Sequence, residues 1–506
     1  MITKTFSATR DGIDGAIVQV EAVRLNSLPQ ITVTGLPGEV VKESRERVRA
    51  CLVNLGFDVP TGKVIVHLSP ANIKKQGGHY DLAIAVSILC AETKLAEPKI
   101  HEVGFIGELS LNGQLCPIKG ILPLIDVLNR DHQIKKIIIP KQNEVEGGFL
   151  SSDKILVASD LGEVLDFLRG QKKLESCSRS PVEYRSSEQN VFDQIRDQNL
   201  AKRAIQISMA GRHHILLVGP PGVGKSMLSV AASDLLPPIC HEEFIEILKI
   251  HSAVACSSED FILSRRRPFR SPHHTISANA LLGGGTGIVV PGEISLAHRG
   301  VLFLDEFPEY RRDALEGLRE PLQSGRVYLN RINGNLELPA QFTMIAAMNP
   351  CPCGMYSSLN NSCRCSPEKK RAYQKKLSSP ILDRIAIMVQ MNQVSLEDSH
   401  SEDTPPFDRV KESILRTFEI QERRFKKLGI NREEEINFQH PDFRLDEASE
   451  ISLKSWQKQG RLSHRRANQI IKVARTIADL DGEDKIKVSS LREAWSLRCF
   501  DFYYGS

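Results

Sequence analysis

The stretch "HILLVGPPGVGKS", residues 214–226, constrains this chain more than any other. Four apolar residues, Ile215–Val218, predict a buried strand, and Gly-x-x-x-x-Gly-Lys-Ser behind it predicts a tight turn into a helix. Glycines at 219, 222 and 224 let consecutive backbone N–H groups converge on phosphate oxygens. The stretch Gly219, Pro220, Pro221, Gly222, Val223, Gly224, Lys225, Ser226 and Met227 is therefore assigned to a nucleotide triphosphate. Within it Lys225 is directed at the β/γ-phosphates and Ser226 at magnesium. Only an open α/β sheet places such a turn at the carboxyl end of a strand.

A second buried run, Val301–Leu304 in "GVLFLDEFPE", ends in Asp305 and Glu306. Asp305 suits magnesium coordination, and Glu306 suits the role of general base toward an attacking water. A third, "FTMIAAMNP", ends in Asn349, which either orients that water or, standing before proline, forms a turn.

At 506 residues the chain exceeds one hydrophobic core, and its domain changes follow from pattern. Residues 1–175 mix β-branched runs such as "KVIVHLS" with helical stretches such as "YDLAIAVSILCAETKL", which predicts an α/β domain. A polar linker follows, from 169 to about 190. Residues 191–394 alternate helices and buried strands as a phosphate-loop domain requires, and 395–506 read as helical. No apolar run approaches a membrane span, and "MITKTFSATRDG" lacks the apolar core of a secretion signal. The expectation is a cytoplasmic protein whose 11 cysteines are thiols or metal ligands. A net charge of +4 over this length says nothing global about nucleic acid, so any basic footprint must be local.

The succession "GPPGVGKS", "LFLDE", "AAMN", "SSPILDRI" and "LSHRR" resembles the AAA+ ATPases. The resemblance implies that Arg384 stabilises the transition state on a neighbouring subunit and that Arg465 fills the second sensor position, with Arg461 and Arg466 close by. The plain alternative for Arg384 is a salt bridge with Asp383. Residues 265–300, "RRRPFRSPHHTISANALLGGGTGIVVPGEISLAHRG", form a long insertion, and with "LREPLQSGRVYLNR" they resemble the magnesium-chelatase-like branch, the whole chain being similar to its ComM/YifB type. In that branch an insert and a hairpin, here 325–340 with a turn at Asn333–Gly334, project toward a ring channel. DNA contacts are thereby expected from Arg265, Arg266, Arg267, Arg270, His273, His274, Arg326 and Arg331. The type implies a hexameric, ATP- and magnesium-dependent DNA motor that promotes branch migration of recombination intermediates in natural transformation. The other reading is a chelatase-like motor that remodels a protein partner for metal insertion.

The first domain, with "GELSLNGQLCPIKGILPLI", resembles the proteolytic (ribosomal S5 domain 2-like) domain of Lon proteases, and the last a helical lid. His79 stands in "GGHYD" where that family has its serine, and Leu122 where it has its lysine, with Lys119 three positions early. The expectation is an inert docking module. Asp197 replaces the glycine usual before Gln198. Finally, Cys351, Cys353, Cys363 and Cys365 form two C-x-C pairs separated by nine residues, a donor set for one structural zinc.

Overall fold

The computed structural model describes residues 2–57, 60–93, 100–177, 191–195, 197–254, 265–285, 289–331, 334–356, 363–393, 405–429, 445–458 and 464–498. Its chain divides into two compact units, Met1–Glu183 with His241–Ser264, and Tyr184–Cys240 with Arg265–Ser506. The sequence reading expected three domains and gave 241–264 to the phosphate-loop domain. By packing, His241–Ser264 groups with the first unit and the C-terminal helices with the second.

The first unit is built on an eight-stranded mixed sheet. From one edge its strands run Glu175–Ser176, Ile155–Ala158, Lys136–Pro140, Val103–Phe105, Ile2–Asp11, Asp14–Leu25, Lys63–Ser69 and Gln30–Thr34. The edge strand Glu175–Ser176 lies inside the stretch read as linker. Helix Asp81–Thr93 is apolar nearly all round, and Leu82–Leu89 is buried throughout, as such a composition requires. The inserted helix His241–Ala253 joins this unit through side chains that periodicity alone does not pair. Phe244 meets Phe149 edge-on with centroids 5.4 Å apart, Arg10 Nη1 donates to the Ala253 carbonyl at 3.0 Å, and buried Lys249 pairs with Asp126 and Asp14.

In the second unit five parallel strands, numbered within it, are β1 (Ile215–Val218), β2 (Phe269–Arg270), β3 (Val301–Leu304), β4 (Thr343–Met348) and β5 (Ile387–Gln390). They stand in the order β2-β3-β4-β1-β5. Because the strands are parallel, all five carboxyl ends open on one edge, and the turns after β1, β3 and β4 become neighbours. One face of the sheet, with Ile215, Leu217, Phe303, Ile345 and Ile387, shares its core with Ile414 and Phe418 of helix Phe407–Leu428 and with Ile470 and Ile477 of helix His464–Leu480. The C-terminal helices are thus part of this unit, because their apolar faces have the sheet's core to bury against. Two strands outside the sheet, Arg326–Arg331 and Gly334–Pro339, form the expected hairpin, with Arg331 opposite Gly334. Gly334, expected in the turn, opens the second strand.

Among the described residues no helix is long and apolar enough to cross a membrane.

Candidate active site

Gly222 and Gly224 adopt φ of +81° and +90°, a region costly for any side chain, and Gly224 caps the helix Lys225–Asp234. The turn folds back over Lys225, whose Nζ donates to the carbonyls of Gly219 (2.7 Å) and Pro220 (2.8 Å) and to Asn349 Oδ1 (3.3 Å). Burial pushes this ammonium below its ordinary value, and Asp305 counters the shift. Ser226 Oγ donates to Asp305 Oδ2 at 3.2 Å, so the two residues assigned to magnesium lie side by side. The strand order brings Lys225, Ser226, Asp305 and Asn349 together. Pro220, Pro221, Val223 and Met227 complete the loop and first turn, Met227 being exposed.

Glu306 sits at φ +49° with its backbone N–H on Asp305 Oδ1 (2.9 Å). A non-glycine residue there is strained, and such strain gathers at functional sites. Its carboxylate lies 3.0 Å from Nδ1 of His274, on the turn after β2. That partner belonged to the expected DNA contacts. Only the adjacency of β2 and β3 reveals it.

Arg384 and Arg465 open on a different cavity of about 870 Å3, also lined by Gln323 and Lys472 and containing none of Lys225, Asp305, Glu306 or Asn349. Arg384 Nη2 (3.0 Å) and Arg465 Nη2 (3.1 Å) both donate to Gln323 Oε1. Burial and the like charges of Arg465 and Arg319 lower the Arg384 pKa. Asp383, the alternative partner of Arg384, instead accepts from Arg466 at 3.3 Å. This separates Arg465 from its neighbour Arg466 in role. Arg461 lies outside the described residues.

The four cysteine sulfurs lie within 4.8 Å of one another. Cys351 is 3.3 Å from Cys353 and 3.6 Å from Cys363, and Cys353 is 3.6 Å from Cys363. Four thiolates around one zinc stand about 3.8 Å apart, given metal–sulfur bonds of about 2.3 Å. The donor set fits that ion. This knuckle is seated on the phosphate loop: a Cβ on Gly354, whose φ is +78°, would come 2.7 Å from Pro221 Cδ. The spacing of the cysteines along the chain does not show this contact.

Several expected DNA contacts have other work. Arg267 donates to the carbonyls of Pro237 (2.6 Å) and Arg299 (2.7 Å), and Arg270 forms a two-pronged pair with Glu293 (2.6 and 2.7 Å). Arg267 is thus tied to backbone carbonyls and Arg270 to a carboxylate of the insert. Arg326 pairs across the hairpin with Glu337. Arg266 and His273 are exposed and Arg265 is half-buried, while the Arg331 side chain lies outside the described set. Asp197 takes φ +54°, which explains why a glycine suits its place, and Gln198 Nε2 donates to Asn392 O at 2.8 Å.

In the first unit His79 is 7% exposed, and its Nε2 lies 2.9 Å from the Ala8 carbonyl, to which it donates. Burial lowers its pKa to about 4. Leu122 is buried, and Lys119 is exposed. A buried His held as a donor, with a leucine at the sequence position of the family's lysine, supplies neither nucleophile nor base.

Residues 20–143 match the family described as subunit ChlI of Mg-chelatase, residues 191–399 that of magnesium chelatase, subunit ChlI, and residues 406–498 its C-terminal family. The chain is 38% identical over 502 residues to competence protein ComM of Haemophilus influenzae, covering 97% of this chain and 96% of that protein. It is 38% identical over 497 residues to the uncharacterized protein YifB of Escherichia coli, with the same coverage. An archaeal Lon protease of Pyrococcus abyssi is 28% identical over 177 residues, 33% of this chain and 17% of that protein.

Proposed function

The chain belongs to the ComM/YifB type of magnesium-chelatase-like proteins, and from that membership and the site's geometry we propose a ring-forming, ATP-driven DNA motor that promotes branch migration of recombination intermediates. The relative's name, competence protein, supports natural transformation as the setting. Lys225 and the loop's backbone N–H groups hold the phosphates, and Ser226 and Asp305 would hold a magnesium ion, which would supply neutralisation of phosphate charge. Glu306 takes a proton from water as the water oxygen attacks the γ-phosphorus, the bond to the β-phosphate oxygen breaks, and ADP leaves. The four cysteines would hold a structural zinc, which would rigidify the segment seated on the loop. Among the described side chains of the hairpin, Arg326 remains the expected DNA contact.

One observation carries the reading. Arg384 and Arg465 share Gln323 in a cavity apart from this chain's own Lys225 and Glu306. Two cations held together there want an anion, and the phosphates of a neighbouring subunit supply it. A ring is the arrangement in which every site gains such a pair.

The test is ATP turnover and labelled-strand displacement with single-stranded, duplex and branched DNA. Wild type should show both, Glu306→Gln should bind ATP without turnover, and Lys225→Ala should not bind it. Arg384→Ala should lose turnover alone and regain part of it when mixed with Lys225→Ala, since a mixed interface pairs an intact loop with an intact arginine. No rescue at any ratio counts against the shared site. Turnover indifferent to every DNA would favour the protein-remodelling motor.

A further inference from the structure

Positive charge is concentrated in residues 363–377 far beyond the +4 of the whole chain spread over its length. That stretch holds six cations, Arg364, Lys369, Lys370, Arg371, Lys375 and Lys376, against the single carboxylate of Glu368. Helix Pro367–Gln374 carries three of them and begins two residues after Cys365, behind the cap Ser366, whose Oγ accepts from the Lys369 N–H at 3.3 Å. Tyr373 and Leu377 bury one side of the segment, which leaves Arg364, Lys369, Arg371 and Lys375 exposed.

Lys376 is neutralised by Glu309 at 2.7 Å. Among the described residues no carboxylate comes within ion-pair distance of Arg364, Lys369, Arg371 or Lys375. Arg371 and Lys375 stand one turn apart on the same face, an arrangement that costs a helix stability unless an anion lies over it. Across the cysteine cluster, three residues after Cys353, Tyr356 is 44% exposed, and Lys370 Nζ lies 3.7 Å from its ring centroid. That contact ties the ring to the helix, so the aromatic group and the cations belong to one surface.

We propose that the cysteine knuckle and the helix that leaves it form a second nucleic-acid contact, separate from the hairpin, in which Lys369, Arg371 and Lys375 hold phosphates of a single strand and the Tyr356 ring stacks on one of its bases. This rests on the DNA-motor reading above and adds a surface to it. The cations alone would suit any polyanion, an acidic peptide included, but the exposed ring beside them selects a ligand that alternates negative charge with flat aromatic faces. Every base offers such a face, and in a duplex both faces are already covered by the neighbouring pairs, so the ring engages an unpaired strand. The cysteines place the two halves of the surface, since Cys353 stands three residues before Tyr356 and Cys365 two residues before the helix.

The experiment measures binding of the full-length protein to a fluorescent single-stranded oligonucleotide, and to the same sequence as a blunt duplex, by anisotropy over a range of salt concentrations. The triple variant Lys369→Gln, Arg371→Gln, Lys375→Gln should lower the slope of log affinity against log salt for the single strand by about two units, at about 0.7 for each lost phosphate contact. Its affinity near 0.1 M salt should fall by roughly a hundredfold. Tyr356→Ala should weaken the single strand by about tenfold at an unchanged salt slope, leave the duplex unaffected, and be rescued by Tyr356→Phe. All of these variants should unfold at the wild-type temperature, because the side chains removed are exposed. A triple variant with wild-type affinity and slope overturns this proposal alone, provided Arg326→Ala still weakens binding in the same assay. Equal weakening of single strand and duplex by Tyr356→Ala overturns the stacking half. Wild-type protein that binds neither oligonucleotide overturns the proposed function and this proposal with it.

Discussion

Single residues at this site are constrained by backbone as much as by chemistry. Glu306 at φ +49° and Asp197 at φ +54° accept strain that glycine would avoid, and Gly354 avoids it at φ +78°. Gly354 also leaves no room for a methyl group, since its Cβ would meet Pro221 Cδ at 2.7 Å. Gly354→Ala must therefore shift the knuckle or the phosphate loop. The expected outcome is a several-fold rise in the KM for ATP, with overall stability lowered by about 1–3 kcal/mol. Titration of nucleotide binding checks the first and thermal unfolding the second, and an unaltered KM would mean the contact yields without moving the loop. Lys225, Asp305 and Asn349 were legible from the sequence because each follows a short apolar strand. The His274–Glu306 pair was not, because residues 32 apart share no local pattern.

At the scale of elements, the knuckle and sheet edge form one assembly. Cys351 follows Asn349 by two residues and is fully buried, while Cys353 is exposed. Zinc loss would free the segment that carries both Asn349 and Gly354. The protein should carry about one zinc per chain, released by Cys351→Ser with Cys353→Ser. Because Gly354 is seated on Pro221, ATP turnover should fall at least as far as DNA binding. Metal analysis of freshly reduced protein checks the stoichiometry, and paired ATPase and DNA-binding assays check the ranking. The hairpin was visible from its β-rich halves and the strand Val301–Leu304 from its apolar run, whereas the short strand Phe269–Arg270 has too few residues to show a period.

For the whole molecule, acid sensitivity follows from histidines held neutral. His214 Nδ1 accepts from the Met344 N–H (3.1 Å) while its Nε2 donates to the Leu322 carbonyl (3.3 Å), a pattern that only the neutral ring satisfies. Burial lowers its pKa to about 4 and that of His213 to about 3, Lys472 adding to the latter shift. Their unfolded pKa is near 6.5, so between that pH and the folded values the unfolded chain binds more protons. Their contribution is complete above pH 6.5 and lost as pH falls, by roughly 2 kcal/mol for each at pH 5. Both tryptophans of the chain, Trp456 and Trp495, pack together in this unit with centroids 4.6 Å apart. Their fluorescence should therefore report a midpoint that drops between pH 7 and pH 5, with a shallower drop in His213→Gln. An equal drop in that variant would assign the acid sensitivity to carboxylates. The sequence by itself determined the nucleotide loop, the paired carboxylates, the four-cysteine donor set and the α/β class, because each is written in contiguous residues or in a short period. Tertiary structure alone decided that helix His241–Ala253 joins the first unit, that the C-terminal helices share the sheet's core, that Arg384 and Arg465 face a cavity away from their own loop, and that His274 meets Glu306. Those outcomes depend on which apolar faces find each other and on which strands become neighbours, and the sequence order of the residues carries neither.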